Sequence, residues 1–388
     1  MLPSVDSMLN ENNTKISHVF LKSQIDYHKE IAPFARRPLT TFLMEGTSKS
    51  LGLKSGYAFI LVNFLLLFLS GILIYKLSKN LNARRKQGLT NMLVYFLSFS
   101  VLFAFFPPVF TYDEPLQYCL ILSSLIAFVK KKWLGYIALF TLALITRETS
   151  MLIVPAIILF ISSIGLQGGK LFSQPHVKRV LIALCPLLLY AIFIGIYIWK
   201  NQLLEATRNE MASRYTCFLE NFESSKNTVE SVTPIFLSLG PFLYFSLRSL
   251  KKNQLSQFKR RFVNAFLVTV TINTPIVILT AFARESRLFA LPLLFIWPMF
   301  MQLFEREIKI LVSFNLYKTL FFKSRYAIPF VLLNILNFWL CFRFYDSLGV
   351  WENNFFSEYL FLLNFFLLAH FFLSLLISAE KNSRNDFS

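Results

Sequence analysis

Long apolar runs, broken by short charged connections, fill most of this chain. The runs are continuous, not alternating, so they predict helices and argue against a β-barrel. About eleven membrane spans can be drawn, at 56–77, 92–110, 115–129, 134–145, 150–164, 180–199, 234–248, 262–283, 288–304, 327–345 and 358–378. The expected fold class is all-α: a polytopic transmembrane helical bundle over 56–378. An external N-terminal loop precedes it over 1–55, and a cytoplasmic tail follows over 379–388. Only helices and closed barrels satisfy the backbone in lipid, which leaves the bundle.

Several of these spans are short. A helix over 134–145 covers about 18 Å, against about 30 Å of hydrocarbon. Pro107-Pro108 ends the 92–110 helix early, and Asp113-Glu114-Pro115 restarts the next with acids before a first-turn proline. Such short hairpins describe a polar cavity sunk into one leaflet. Thr146-Arg147-Glu148-Thr149 is the sharpest interruption, between Leu134–Ile145 and Met151–Ile164. A charge at that depth costs roughly 2.5–3.5 kcal/mol on insertion scales, so the groups must pair, face protein or reach water.

Composition supports the membrane reading. Of 388 residues, 55% are hydrophobic and 15% charged, with 45 Phe, which excludes an ordinary soluble domain. The net charge of +18 would suit nucleic acid, but the basic residues fall in every second connection. These are Lys79/Arg84/Arg85/Lys86, Lys130–Lys132, Lys170/Lys178/Arg179, Arg248–Arg261, Arg306–Arg325 and the tail. The positive-inside rule then places these in the cytoplasm, with the C-terminus, and the carboxylate-bearing turns outside. Nucleic acid is not expected as a partner. An odd span count puts the basic segment 1–55 outside, which calls for an upstream helix or a membrane-surface helix over 8–23. No cleavable signal peptide is visible. Cys119, Cys185, Cys217 and Cys341 have no spacing for a disulfide framework or zinc site, and no metal ligand set is assigned.

Candidate chemistry collects on the outer side. It comprises Asp26, His28 and Glu30, then Arg36-Arg37, Tyr112-Asp113-Glu114, Arg147-Glu148, the 200–233 loop with Arg208, Glu210, Arg214 and Tyr215, and Arg284-Glu285-Ser286-Arg287. Carboxylates act as general bases toward a hydroxyl or hold a divalent cation such as Mg or Mn. Arginines bind phosphate bidentately and stay charged in low dielectric. Each group also has a structural explanation: N-capping for Asp113 and Glu114, an ion pair for Arg147-Glu148, snorkelling at 284–287. His370 and Asn364 read as helix-packing polar residues.

The stretches Phe34-Ala35-Arg36-Arg37-Pro38-Leu39, Tyr112-Asp113-Glu114-Pro115-Leu116, Leu144–Ser150 and Ala283–Phe289 resemble those of GT-C superfamily integral-membrane glycosyltransferases. That resemblance implies a bacterial inner-membrane enzyme. It would move a sugar from a polyprenyl-phosphate donor to a lipid or glycan acceptor on the outer face. It also implies an essential carboxylate in the first external loop, here Asp26 with Glu30 in reserve. Arg36, Arg37, Arg147, Arg284 and Arg287 would hold the phosphate, oriented by His28, Glu148 and Glu285, with Asp113 and Glu114 binding acceptor or metal. The family carries a helix before that loop, and this chain shows none. An O-antigen-type polymerase or ligase, or a lipid-linked-glycan flippase, fits the same lipid-phosphate chemistry.

Overall fold

The computed structural model describes residues 18–105, 111–163, 174–202, 205, 209, 214, 216–252, 255–350 and 355–385, and among them it is all-helical. Five helices are long and apolar enough to cross a membrane: Ser55–Asn80, Val177–Lys200, Gln257–Thr280, Ser324–Ser347 and Phe356–Ala379. Three shorter apolar helices, Glu114–Val129, Trp133–Thr146 and Glu148–Ile161, stand among them.

The expected N-terminal loop is helical in its described part: α1 (His18–Glu30), the single turn α2 (Ala32–Ala35) and α3 (Pro38–Leu51). α1 and α3 pack on α4 (Ser55–Asn80), burying Phe20, Leu21, Ile25 and Met44. α4 has no polar face, and half of its apolar stretch is buried inside the protein. A segment hydrophobic all round is a core or membrane helix, not a surface one. It ends at Asn80, and Asn82 just beyond it is in the left-handed conformation with φ 63°.

The 92–110 span is instead broken. α5 (Arg85–Leu97) stops at Ser98, which is extended at ψ 135°, and α6 (Phe99–Phe105) follows. The proline stop at 107–108 lies outside the described residues. α7 (Glu114–Val129) and α8 (Trp133–Thr146) form a tight antiparallel pair, and α7 also packs on α4. A 3₁₀ turn, Glu148–Ile153, leads into α9 (Val154–Ser163), and α10 (Gln174–Lys200) crosses beside both. α10 presents Leu181, Leu188, Ile192 and Ile196 outward, an exposed apolar face that suits lipid.

After α11 (Thr216–Phe222) come α12 (Ser225–Lys251) and α13 (Gln257–Thr280). The next expected span, 288–304, is not a membrane helix. It is a train of 3₁₀ turns, Ser286–Phe289, Leu291–Phe295 and Trp297–Met299, running into α14 (Phe300–Leu311). Pro292 and Pro298 sit in the first turns of two of these segments and each remove an amide donor from the run. The segment is apolar because it is core: Phe289, Leu293, Ile296 and Trp297 have no exposed surface. Side chains take up its free backbone groups. Ser78 Oγ and Asn91 Nδ2 donate to Pro298 O (2.8 and 2.7 Å), Met301 N donates to Asn91 Oδ1 (2.8 Å), and Asn273 Nδ2 donates to Leu288 O (2.9 Å). Irregular backbone at membrane depth survives only when buried in protein and satisfied this way.

α15 (Phe314–Phe322), α16 (Ser324–Trp339) and the long α17 (Phe355–Asn385) close the bundle. α16 continues through a π turn (Leu340–Phe344), and α17 carries helix into the expected tail.

Candidate functional site

Chain breaks, not helix faces, carry the polar cluster. Pro38 opens α3, and the residue before a proline is driven out of the helical region; Arg37 sits there at φ −110°, ψ 66°. Asp113 and Glu114 open α7 ahead of Pro115. Arg147 ends α8 in an extended conformation (φ −159°, ψ 119°), and Glu148 starts the 3₁₀ turn. That single extended residue sends the two neighbours to different partners. Gln117 braces the break, donating from Nε2 to Thr149 Oγ1 (3.1 Å) and Ser150 Oγ (2.9 Å).

Glu148 receives Arg37 in a bidentate fork, with Nε donating to Oε2 at 2.7 Å and Nη2 to Oε1. Arg36 Nη2 adds a third bond to Oε1 at 3.1 Å. Glu114 Oε1 takes both Arg147 and Arg287, the latter through Nε at 2.8 Å. Glu114 Oε2 accepts from Thr111 Oγ1 (3.1 Å) and the Tyr112 amide (3.2 Å). Arg287 Nη2 also donates to Glu285 Oε2 at 2.8 Å. Arg147 and Glu148, adjacent in sequence, are therefore not each other's partners. Glu285 likewise pairs with Arg287 rather than Arg284. Charges this deep are tolerated because each is paired and hydrogen-bonded.

Asp113 differs from its neighbours. It is buried, lies 3.7 Å from Arg37 Nη1, and its Oδ1 has no hydrogen-bond partner among the described residues. Burial pushes its carboxyl up to about 7, against the pull of Arg37. His28 is stacked flat on Tyr112 (ring centroids 3.6 Å, 9° between planes), and its Nδ1 lies 2.8 Å from Gln24 O. Burial lowers His28 to about 4, so it is neutral near pH 7, with Nδ1 donating to that carbonyl. Arg37 is held above its ordinary value: burial opposes the charge, and Glu148 overrides it.

These groups line one cavity of about 550 Å³. Its polar wall holds His28, Arg37, Asp113, Glu114, Arg147 and Arg287, and Phe20, Leu152, Ile276 and Leu288 supply an apolar wall. No family model matches the chain, and no curated protein or solved structure matches it.

Of the residues expected from sequence, the structure also brings Glu148 and Glu285 to this cavity, with Arg36 just behind Glu148. It does not bring Asp26, Glu30 or Arg284 there. Asp26 and Glu30 lie on α1 outside the lining. Arg284 is exposed, packs over the Phe282 ring at 4.8 Å, and borders a separate hollow with Glu220, Glu223 and Glu230. Arg208, Glu210 and Tyr215 fall outside the described residues; Arg214 lines the cavity. Sequence reading missed Gln117 and Gln24. Gln117 lies one turn after Glu114, a spacing that puts both on one helix face.

Among the described residues, no group of three or more His, Cys, Asp or Glu is placed to hold a metal ion. The cavity's carboxylates face guanidiniums instead, a donor set that does not fit a divalent cation.

His370 and Glu307 form a second buried polar group, with Glu307 absent from the sequence expectation. Glu307 Oε2 lies 2.8 Å from His370 Nε2 and accepts from Arg248 Nε (3.0 Å), Lys252 Nζ reaches Oε1 (3.2 Å), and the Tyr244 hydroxyl meets His370 Nδ1 at 2.9 Å. This ties α17 to α12 and α14, a packing role.

Proposed function

We propose that the protein is an integral-membrane glycosyltransferase of GT-C type, moving a sugar from a polyprenyl phosphate to a hydroxyl acceptor. The observation that carries this reading is the convergence of four guanidiniums, those of Arg37, Arg147, Arg214 and Arg287, with the Asp113 carboxylate on a single cavity with an apolar wall. A lipid-phosphate donor needs cations for its phosphate, apolar surface for its chain, and a base beside them. The acceptor oxygen attacks the anomeric carbon, the bond from that carbon to the phosphate oxygen breaks, and polyprenyl phosphate leaves. The acceptor proton goes to Asp113, whose Oδ1 accepts no hydrogen bond among the described residues. Arg147 and Arg287, set by Glu114, take the charge that builds on the leaving phosphate, as fixed donors do for a developing anion. Arg37 is held by Glu148 and positions Asp113. The base in this reading is Asp113, in place of Asp26.

The cavity opens on the side the positive-inside rule makes external, in a bacterial inner membrane with the C-terminus cytoplasmic. Five helices are long and apolar enough to cross by themselves, three shorter ones stand among them, and the count of about eleven spans stays part of this proposal.

The test is transfer from a radiolabelled polyprenyl-phosphate sugar in membranes. Asp113→Asn and Arg147→Ala are expected to lose transfer, and Asp26→Asn to keep it. Full activity of Asp113→Asn overturns the assignment. A change in polymer length with no monosaccharide transfer would favour a polymerase.

A further inference from the structure

A second cavity lies at the other end of the same helices. Phe59 of α4 stands against Tyr112 of the first cavity, whereas Leu77 and Asn80 of α4 line the second. Phe59 and Leu77 are about 27 Å apart along the helix. α7 starts at Glu114 in the first cavity and ends at Leu125, Phe128 and Val129 in the second. α13 runs the opposite way, with Phe258, Arg261 and Phe262 in the second and Ile276, Val277 and Thr280 in the first.

The second cavity has a volume of about 400 Å³ and an apolar body that includes Leu125, Ile157, Phe160 and Phe295. Among the described residues its charged lining is Lys131, Arg179 and Arg261, with no carboxylate. Val129 and Phe258, 40% and 46% exposed, border it with apolar surface. All three cations come from connections that the loop alternation places together.

We propose that this cavity binds one anionic phospholipid, with an acyl chain against the Phe128, Phe160 and Phe262 wall and the phosphate among Lys131, Arg179 and Arg261. Lys131 and Arg179, in a described lining that holds no carboxylate, match a net negative headgroup and offer nothing to a choline or ethanolamine. The apolar body excludes a free soluble anion as the fitting occupant. Basic pockets between membrane helices recognise anionic headgroups in this way. The site does not rest on the glycosyltransferase reading, because none of its residues touches the first cavity.

The experiment is native mass spectrometry of the full chain released from detergent micelles with added phosphatidylglycerol or phosphatidylcholine. The wild type is expected to retain one phosphatidylglycerol in preference to phosphatidylcholine. Lys131→Gln and Arg179→Gln are each expected to weaken retention about fivefold. Val129→Trp, at an exposed position, fills the mouth without changing charge and is expected to abolish it. Thermal unfolding in phosphatidylcholine checks that each variant is folded. Equal retention of the two lipids by the wild type, or undiminished phosphatidylglycerol on the folded variants, overturns the proposal.

Discussion

Asp113 and Glu114 are neighbours in sequence with opposite situations. Glu114 is saturated by two arginines, a hydroxyl and an amide, while Asp113 has the Arg37 guanidinium at 3.7 Å and the Thr40 hydroxyl. Removing the Glu114 charge by Glu114→Gln strands the Arg147 guanidinium and leaves Arg287 only Glu285, and breaking such a buried pair costs about 3–5 kcal/mol, readable as a fall in Tm. Asp113→Asn removes a base, not a partner, so transfer is expected to fall about 10²–10⁴-fold with a smaller stability change. Because burial sets Asp113 at about 7, the wild-type transfer rate rises with pH through that value, and the variant loses this limb. Stability responds in the other sense. From Asp113's ordinary 3.8 up to about 7 the folded chain binds more protons than the unfolded one, so this carboxyl's contribution is lost as pH rises through that window. His28 acts oppositely. Between its ordinary 6.5 and about 4 the folded chain binds fewer protons, so stability is lost as pH falls there. His28→Phe is expected to flatten that acid limb in pH-dependent unfolding.

At the scale of elements, an apolar run need not be a span. The 286–299 train is largely apolar, yet it is an interior strut whose backbone is satisfied by Asn91, Ser78 and Asn273. Asn91→Ala leaves the Met301 amide and one bond to Pro298 O unmade, and stranding a buried polar group costs about 1–3 kcal/mol. Its Tm is expected to fall while transfer by the folded fraction is kept. Hydrophobicity alone does not separate a core segment from a lipid-facing one. Proline does not separate them either, because Pro186, Pro241 and Pro275 lie inside continuous helices. The break at Arg147 was legible as an interruption, but its geometry was not: one extended residue decides that Arg147 turns to Glu114 and Glu148 to Arg37.

At the scale of the molecule, the long helices carry two different ends. One has guanidinium–carboxylate pairs around Asp113, the other cations over an apolar hollow. Single cysteines at Lys131 and Glu285 are therefore expected to label from opposite sides of sealed vesicles with an impermeant maleimide. Labelling of both from one side would contradict the assigned orientation.

The sequence by itself determined the helical membrane character, through continuous apolar runs that only helices can carry across lipid, and the alternation of basic connections. It also marked Arg147 and Glu148 as charges too costly to stand unpaired, and Arg37, Asp113, Glu114 and Arg287 as candidate site residues. The tertiary structure alone decided the pairing and the membership of the site. Partners such as Arg37–Glu148 and Arg287–Glu114 are separated by more than a hundred residues, and no local rule of spacing reaches that far. It left Asp26 and Arg284 outside the cavity for the same reason: a side chain's distance from a site depends on packing between elements, and residue type carries no record of it.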